Sequence, residues 1–343
     1  MKHHLNTLFV TTDGAYLAKE GQAVAVRIER QTRMRVPIHH LGSIACFGLI
    51  SVSPALMALC AEQGVSVSFL NEHGRFMARV SGFTPGNVLL RRTQYRAADD
   101  PAASAAVTRC LLSAKIANAR SVLLRTLRDS PAHPGRAPVE AAALRLAHCI
   151  DDLPRAPDLD ALRGVEGEAA RAYFDVFNHL IADTAAGFEF RGRSRRPPLD
   201  NVNALLSFVY ALLAHDARSA CEVVGLDPAV GFLHRDRPGR PGLALDLMEE
   251  LRPFLADRLV LSLINRRQVQ PTGFTTTESG AVRMDDATRK TLLVAYQQRK
   301  QRELLHPFLD EKVTVGLIVH LQARLLARYL RGDLDAYPAF IWK

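Results

Sequence analysis

Three short stretches of this chain carry residue types that could do chemistry together. LRGVEGEAARAYF (162–174) sets Glu166 between Gly164 and Gly167. GFLHRDRPGRPGLALDLMEELRP (231–253) opens on His234, crosses a loop rich in Pro, Gly and Arg, and then presents Asp246, Glu249 and Glu250. FRGRSRRPP (190–198) carries Arg191, Arg193, Arg195 and Arg196, and Arg266 and Arg267 follow later. One imidazole with two or three carboxylates is a hard, oxygen-rich donor set that suits Mg²⁺ or Mn²⁺ better than structural zinc. An ion held there can polarise a phosphodiester and stabilise the charge that develops in phosphoryl transfer. Arginine forks suit the phosphate oxygens of a nucleic-acid backbone. The combination points to metal-assisted chemistry on a phosphodiester.

The spacing sharpens part of this reading and leaves part of it open. Glu166 lies one helical turn from Leu162, Ala169 and Ala170 and two from Tyr173, so it borders a buried stripe, whereas Glu168 aligns with Arg171 and Asp175 on the polar face. A carboxylate against apolar neighbours is costly unless paired or coordinated. The flanking glycines each weaken a helix by about 1 kcal/mol relative to alanine, and admit a close-packed neighbour or a ligand. In the second stretch Asp246 shares a face with Glu249 at three residues and with Glu250 at four. Helix dipoles favour acids near an N-terminus for no functional reason, and the spacing does not separate Glu249 from Glu250. His306 and His320 sit among apolar residues and read as packed histidines. There is no GxxxxGK[ST] phosphate loop, no GxSxG elbow and no HExxH pair.

The elements that must position these residues fall into two sets. Up to about residue 88 the chain reads as short strands: LFVT, AYLAKEG, AVAVRIE and RVPIHHLGSIACFG, with turn chemistry at Asp13-Gly14 and Glu20-Gly21. One helix interrupts them at 53–64, where Ser53 caps, Pro54 starts and Gly64 stops. A further turn is expected near His73-Gly74, and the region closes near Phe83–Gly86. Residues 89–104 read as a linker. From there to 343 the period is helical, broken at SPAHPGRAP (130–138) and the basic loop, with a long apolar helix from 200 interrupted near Asp216. A hairpin turns at Ser279-Gly280, and two helices, 288–304 and 313–333, end the chain. The expected fold class is therefore α+β: a small β-rich N-terminal domain (1–88) followed by a larger all-α catalytic domain (105–343).

Composition agrees with a protein that meets nucleic acid. The chain has 343 residues, is 48% hydrophobic and carries a formal net charge of +9. Only seven of its 44 basic residues are lysines. Such a positive balance favours a polyanionic partner. No apolar run approaches the roughly 20 residues that span a bilayer, and the start lacks a signal-peptide pattern. The five cysteines are widely spaced without a CxxC pair, as expected of reduced thiols in a cytoplasmic protein.

The motifs above, in this order, with RRPPLDNVNALLSFVYALL (195–213), SAKIANARSVLLR (113–125), NRRQV, FTTTESGAVRM, LQARLLARYLRG and the start LNTLFVTTDGAYLAKEG, resemble the CRISPR adaptation integrases, the first of the CRISPR-associated proteins, in their subtype I-C branch. The resemblance covers essentially the whole chain. It implies a β-sandwich-like N-terminal dimerisation domain and a helical catalytic domain. It assigns the metal to Glu166, His234 and Glu249, preferring Glu249 over Glu250, with Asp246 as the accompanying catalytic acid. The implied activity is that of a metal-dependent DNA endonuclease and integrase, hydrolase in class, using Mg²⁺ or Mn²⁺ in antiviral defence. It inserts short duplex DNA into the CRISPR array by attack of a 3′-hydroxyl on the repeat-border phosphodiester. The implied partners are DNA, a second copy of the chain and the small second CRISPR-associated protein, with no membrane. Two other readings compete: an unrelated metal-dependent phosphoesterase, and a non-catalytic DNA-binding scaffold whose acids are helix-start residues.

Overall fold

In the computed structural model, which describes residues 6–71, 76–80, 82, 87–130, 134–182, 185 and 187–342, short apolar runs near the N-terminus become strands. They are β1 (Asn6–Val10), β2 (Tyr16–Glu20), β3 (Ala23–Ile28), β4 (Gln31–Pro37), β5 (Leu41–Phe47) and β6 (Ser51–Val52). Helix α1 (Pro54–Glu62) follows, then β7 (Ser66–Leu70) and β8 (Phe76–Val80). The chain divides into two units, Met1–Pro85 with Tyr296–Gln301, and Gly86–Ala295 with Arg302–Lys343.

The first unit holds two four-stranded sheets, ordered β1-β5-β7-β8 and β4-β3-β2-β6. In the first sheet β1-β5 and β5-β7 run parallel and β7-β8 antiparallel. Val10, Leu17, Val24, Ile44, Leu56 and Val67 belong to one core that both sheets and α1 share, the expected sandwich-like arrangement. The expected turns form at Gly14 and Gly21, both at positive φ. Ser53 caps α1 by accepting from the Leu56 amide. Between β3 and β4 the chain turns through Glu29 and Arg30, two non-glycine residues at positive φ that the sequence does not signal. β4 is an edge strand and largely exposed, with Arg35 paired to Glu20. The turn expected at His73-Gly74 and the closing segment Phe83–Gly86 lie outside the described residues.

The span 89–104, expected as a linker, is helical. α2 (Val88–Asp99) and α3 (Pro101–Asp129) run through it, meeting where Asp100 caps α3 by accepting from the Ala102 amide and Pro101 takes its first turn. A proline there marks a helix start rather than a break. The second unit continues with α4 (Arg136–Asp152), α5 (Leu159–Asp175), α6 (Asn201–Val224), α7 (Gly242–Glu249) and α8 (Arg258–Asn265). A π-helical stretch, Arg252–Asp257, joins the last two. α3 packs against α4, α5, α7 and this stretch, which makes it the axis of the unit.

Three further expectations change. α6 runs unbroken through Asp216, which lies half-exposed, where a polar residue costs a helix little. The predicted hairpin forms as β9 (Phe274–Thr276) and β10 (Val282–Met284). After α9 (Asp286–Gln301) a second hairpin appears, β11 (Glu303–Leu305) with β12 (Lys312–Thr314), so the domain is not strictly all-α. The helix expected over 313–333 is therefore shorter, α10 (Ile318–Leu330), because the β-branched Val313 and Thr314 are stiff and pair in the strand, and Val315–Leu317 forms a 3-10 turn before the helix.

Candidate active site

α5 supplies Glu166. Asp158 caps the helix by accepting from the Ala161 amide at 2.8 Å, and Leu162, Ala169 and Tyr173 bury one face. Glu166 stands at the edge of that face, 29% exposed. Among the described residues nothing would lie within 4 Å of a Cβ at Gly164 or Gly167, so none of them packs against these exposed glycines. Of the two uses anticipated for them, close packing is ruled out.

His234 is held by the residue twelve positions later. The Asp246 carboxylate is fully buried and accepts the backbone amides of Phe232 (2.6 Å), Leu233 (3.0 Å) and His234 (3.0 Å). Its Oδ1 also lies 2.6 Å from His234 Nδ1. When Nδ1–H donates to this carboxylate, the lone pair is left on Nε2, the usual way a protein prepares an imidazole ligand. Nε2 faces Glu249 Oε1 at 3.9 Å. Arg163, one turn before Glu166, closes the other side of the loop by donating to the Leu233 carbonyl from Nε (3.1 Å) and Nη2 (2.9 Å). Such close approach requires glycine: a Cβ at Gly231 would fall 2.7 Å from Asp246 Oδ2. Asp246 thus acts on His234 and its loop and is a positioning residue.

The acidic trio splits three ways. α7 ends at Glu249, and Glu250 falls in the turn beyond it. Glu249 faces His234 and is nearly buried, while its Oε1 meets Arg252 Nη1 at 2.9 Å. Burial alone would raise its pKa, but the charges of Arg252, Lys115 and His234 outweigh that and hold it at about 2. Glu250 points into the core, where Tyr337 Oη, Gln322 Nε2 (2.8 Å) and the Phe340 amide (2.6 Å) donate to it. Its burial outweighs these bonds and pushes its pKa up to about 7.

Two basic residues that sequence reasoning passed over complete the arrangement. Lys115 of α3 donates from Nζ to Glu166 Oε1 and stands 2.8 Å from Glu249 Oε2, bridging the two carboxylates. Its helix neighbours Leu111, Leu112, Asn118 and Ala119 are all buried, so a lysine on an apolar stripe was the available signal. Arg252 stacks on one Tyr210 ring at 5.0 Å, and Arg193 on the same ring at 5.1 Å. The Tyr210 hydroxyl donates to Asp257 Oδ1 at 2.6 Å. A cavity of about 40 Å³ between Glu166, Lys115, Arg195 and Tyr210 has room for ordered water. A larger cleft of about 760 Å³ opens beside His234, lined by Arg109, Asp160, Arg163 and Arg235 among others.

The arginines expected to meet DNA differ among themselves. Arg195, Arg196, Arg266 and Arg267 are exposed. Arg191 is exposed but paired with Glu189 at 2.9 Å. Arg193 is drawn inward, donating to Asn203 Oδ1 at 2.6 Å and to the Ser194 carbonyl. His306, expected as a packed histidine, is fully buried against Gln322.

The donors His234 Nε2, Glu249 and Glu166 have the chemistry of a hard divalent-ion site. Glu249 Oε2 fits that use: it is buried, has no hydrogen-bond partner of good geometry, and faces a positive charge. Among the described residues no three His, Cys, Asp or Glu side chains stand close enough to hold an ion as they are. Glu166 and Glu249 are spaced by the Lys115 ammonium, itself a cation between them.

A small sheet domain followed by a helical unit that gathers an imidazole, two carboxylates and a ring of basic side chains defines a class: enzymes of phosphodiester chemistry. The description "CRISPR associated protein Cas1" matches residues 8–298, and the chain belongs to that family. It is 56% identical over 343 residues, the full length of both, to CRISPR-associated endonuclease Cas1 1 of Chlorobaculum tepidum. It is 55% identical, again over the full length of both chains, to CRISPR-associated endonuclease Cas1 2 of Rhodospirillum rubrum. Among solved structures, a casposase bound to integration product shares the fold with a TM-score of 0.84 at 20% identity, covering 99% of this chain and 95% of that one. A Cas1 protein from Thermotoga maritima superposes with a TM-score of 0.80 at 20% identity, covering 98% and 99%.

Proposed function

We propose that this Cas1 endonuclease is the integrase of CRISPR adaptation and inserts short duplex DNA into the repeat array. The observation that carries the reading is the meeting of Glu166 from α5, His234 from the loop and Glu249 from α7 around one cation-filled gap. In the reaction a 3′-hydroxyl oxygen forms a bond to the repeat-border phosphorus. The bond from that phosphorus to the 3′-oxygen of the flanking nucleotide before it breaks, and the departing oxygen takes up a proton as the attacking hydroxyl loses one.

Endonuclease activity in this family implies a divalent metal cofactor; we assign it to Mg²⁺ or Mn²⁺, held by Glu166, His234 and Glu249. Bound there, the ion would stabilise charge on the phosphoryl oxygens. The protein's own contribution is to fix the donors. Asp246 orients the imidazole through Nδ1, Arg163 locks the loop carbonyl, and Arg252 keeps Glu249 ionised. Burial of Glu249 keeps water from competing for it. Arg195, Arg196, Arg266 and Arg267 would hold backbone phosphates, with Arg191 once it leaves Glu189; Arg193 would act from within the wall of the site.

The working assembly is a homodimer formed through the sheet domain, joined to the small second CRISPR-associated protein. A solved Cas6-RT-Cas1–Cas2 complex contains a region of the same fold, with a TM-score of 0.81 at 21% identity. No helix among the described residues is long and apolar enough to cross a membrane, and a DNA substrate supports a cytoplasmic setting. The test is strand transfer of labelled duplex DNA into a supercoiled array plasmid with Mn²⁺ and the small partner. Glu166→Ala, His234→Ala and Glu249→Ala are each expected to abolish transfer, by at least about 10²-fold, while leaving duplex binding largely intact. Full activity in Glu166→Ala would refute the assignment.

A further inference from the structure

Among the described residues, Lys115 is placed so that its side chain touches both carboxylates. Its Nζ donates to Glu166 Oε1 and lies 2.8 Å from Glu249 Oε2, with the lysine side chain only 14% exposed. Its root does not move freely. One turn on, Asn118 donates to the Glu250 carbonyl (2.7 Å) and the Phe340 carbonyl (2.8 Å), and accepts from the Trp342 amide (2.7 Å). The four-carbon stem above that root is flexible, and lysine's charge is compact.

An ordinary structural ion pair does not account for this placement. Glu249 already has a buried arginine partner, Arg252 at 2.9 Å, so it needs no second cation for its own sake. Glu166 is part-exposed at the edge of its helix face, where water would solvate it. What the ammonium does is fill the gap that two carboxylates from separate elements would otherwise present to each other. Two like charges facing across a part-buried gap repel, and a cation between them relieves that.

We propose that Lys115 is a tethered counter-cation: it holds the Glu166–Glu249 pair together in the metal-free protein, competes with the divalent ion for the pair, and is displaced when the ion binds. This rests on reading Glu166, Glu249 and His234 as the metal set. An ammonium and a divalent ion repel and claim the same two oxygens, so they exclude each other. The cavity of about 40 Å³ lined by Lys115, Glu166 and Arg195 gives the displaced head group space. The competition lowers metal affinity and keeps the carboxylates in place until an ion arrives.

The experiment is calorimetric titration of the full-length protein with Mn²⁺, beside thermal unfolding with and without Mn²⁺, for wild type, Lys115→Met, Lys115→Gln, Lys115→Arg, Glu166→Gln and His234→Ala. Removing the charge is expected to tighten Mn²⁺ binding roughly tenfold or more in both Lys115→Met and Lys115→Gln. The metal-free forms of both should melt below wild type and gain more from Mn²⁺. Lys115→Arg, which keeps the charge, should bind Mn²⁺ no better than wild type. A role confined to structure would lower stability and leave affinity unchanged or weaker. That result in both neutral variants, with Glu166→Gln and His234→Ala still abolishing binding, overturns the proposal and spares the metal site. Mn²⁺ binding that survives in Glu166→Gln and His234→Ala overturns the metal site, and the proposal with it. Two neutral substitutions guard against one variant failing to fold.

Discussion

At the residue scale, burial and partners sort chemically equal acids into unequal jobs. Asp246, Glu249 and Glu250 lie within five residues, yet one holds a histidine loop, one faces the gap and one anchors the core. Asp257 is a fourth case. It is fully buried, and burial outweighs its bond from Tyr210, the Tyr173 hydroxyl beside it and the charges of Arg193 and Arg252, pushing its pKa from 3.8 up to about 6. A carboxyl whose folded pKa is raised binds its proton more tightly in the folded state. Its contribution to stability is full below pH 3.8 and is lost as pH rises through about 6. The shift is worth about 3 kcal/mol. Asp257→Asn keeps an acceptor for Tyr210 and cannot ionise, so its melting temperature relative to wild type should climb between pH 4 and 7. A difference that stays flat over that window would show that Asp257 titrates as it does in the unfolded chain.

At the scale of elements, the site depends on how chain ends meet. α7 carries Asp246 and Glu249 but is only eight residues long, too short to be stable by itself. The turn after it is fastened by the C-terminal segment. Glu250 takes hydrogen bonds from Tyr337, Gln322 and the Phe340 amide, and Asn118 links the Glu250 carbonyl to Phe340 and Trp342. Arg258 covers the Trp342 ring at 4.1 Å. Tyr337→Phe removes one hydrogen bond to a buried carboxyl and is expected to cost about 1–3 kcal/mol in urea unfolding. Asn118→Ala should cost more, because it strands two carbonyls and an amide. Equal stability of Asn118→Ala and wild type would mean that the C-terminal segment does not brace α7.

At the scale of the whole molecule, charge is the dominant sequence feature, and the structure divides its uses. Arg193 and Arg252 are built into the wall of the site around Tyr210, whereas Arg195 and Arg196 reach solvent. Charge reversal at Arg193 would test folding rather than DNA affinity. Arg195→Glu with Arg196→Glu is the informative pair. Duplex binding should weaken, and the dependence of log K on log salt should flatten by about 0.9 for each phosphate that is no longer neutralised. An unchanged affinity and salt slope would leave these arginines with no part in holding DNA.

Much is legible in the sequence, for reasons that lie in local chemistry. Strand and helix periods, the cap at Ser53, the start at Pro54 and the turns at Gly14 and Gly21 follow from backbone preferences of residues close in sequence. The order of motifs points to the family, and the residue types name the chemistry. Local signals also mislead where a stronger partner lies elsewhere. The stretch from 89 to 104 is helical, and Lys312–Thr314 is a strand because Glu303–Leu305 is there to pair with it. What only the tertiary structure decided is which polar groups face each other across long separations. Lys115 lies 51 residues before Glu166 and meets both it and Glu249, and Glu250 finds its partner Tyr337 87 residues away. A helical period places a side chain on a face but says nothing of what that face meets. Burial alone then makes the meeting count, because charges that water would screen at the surface must be answered atom by atom inside.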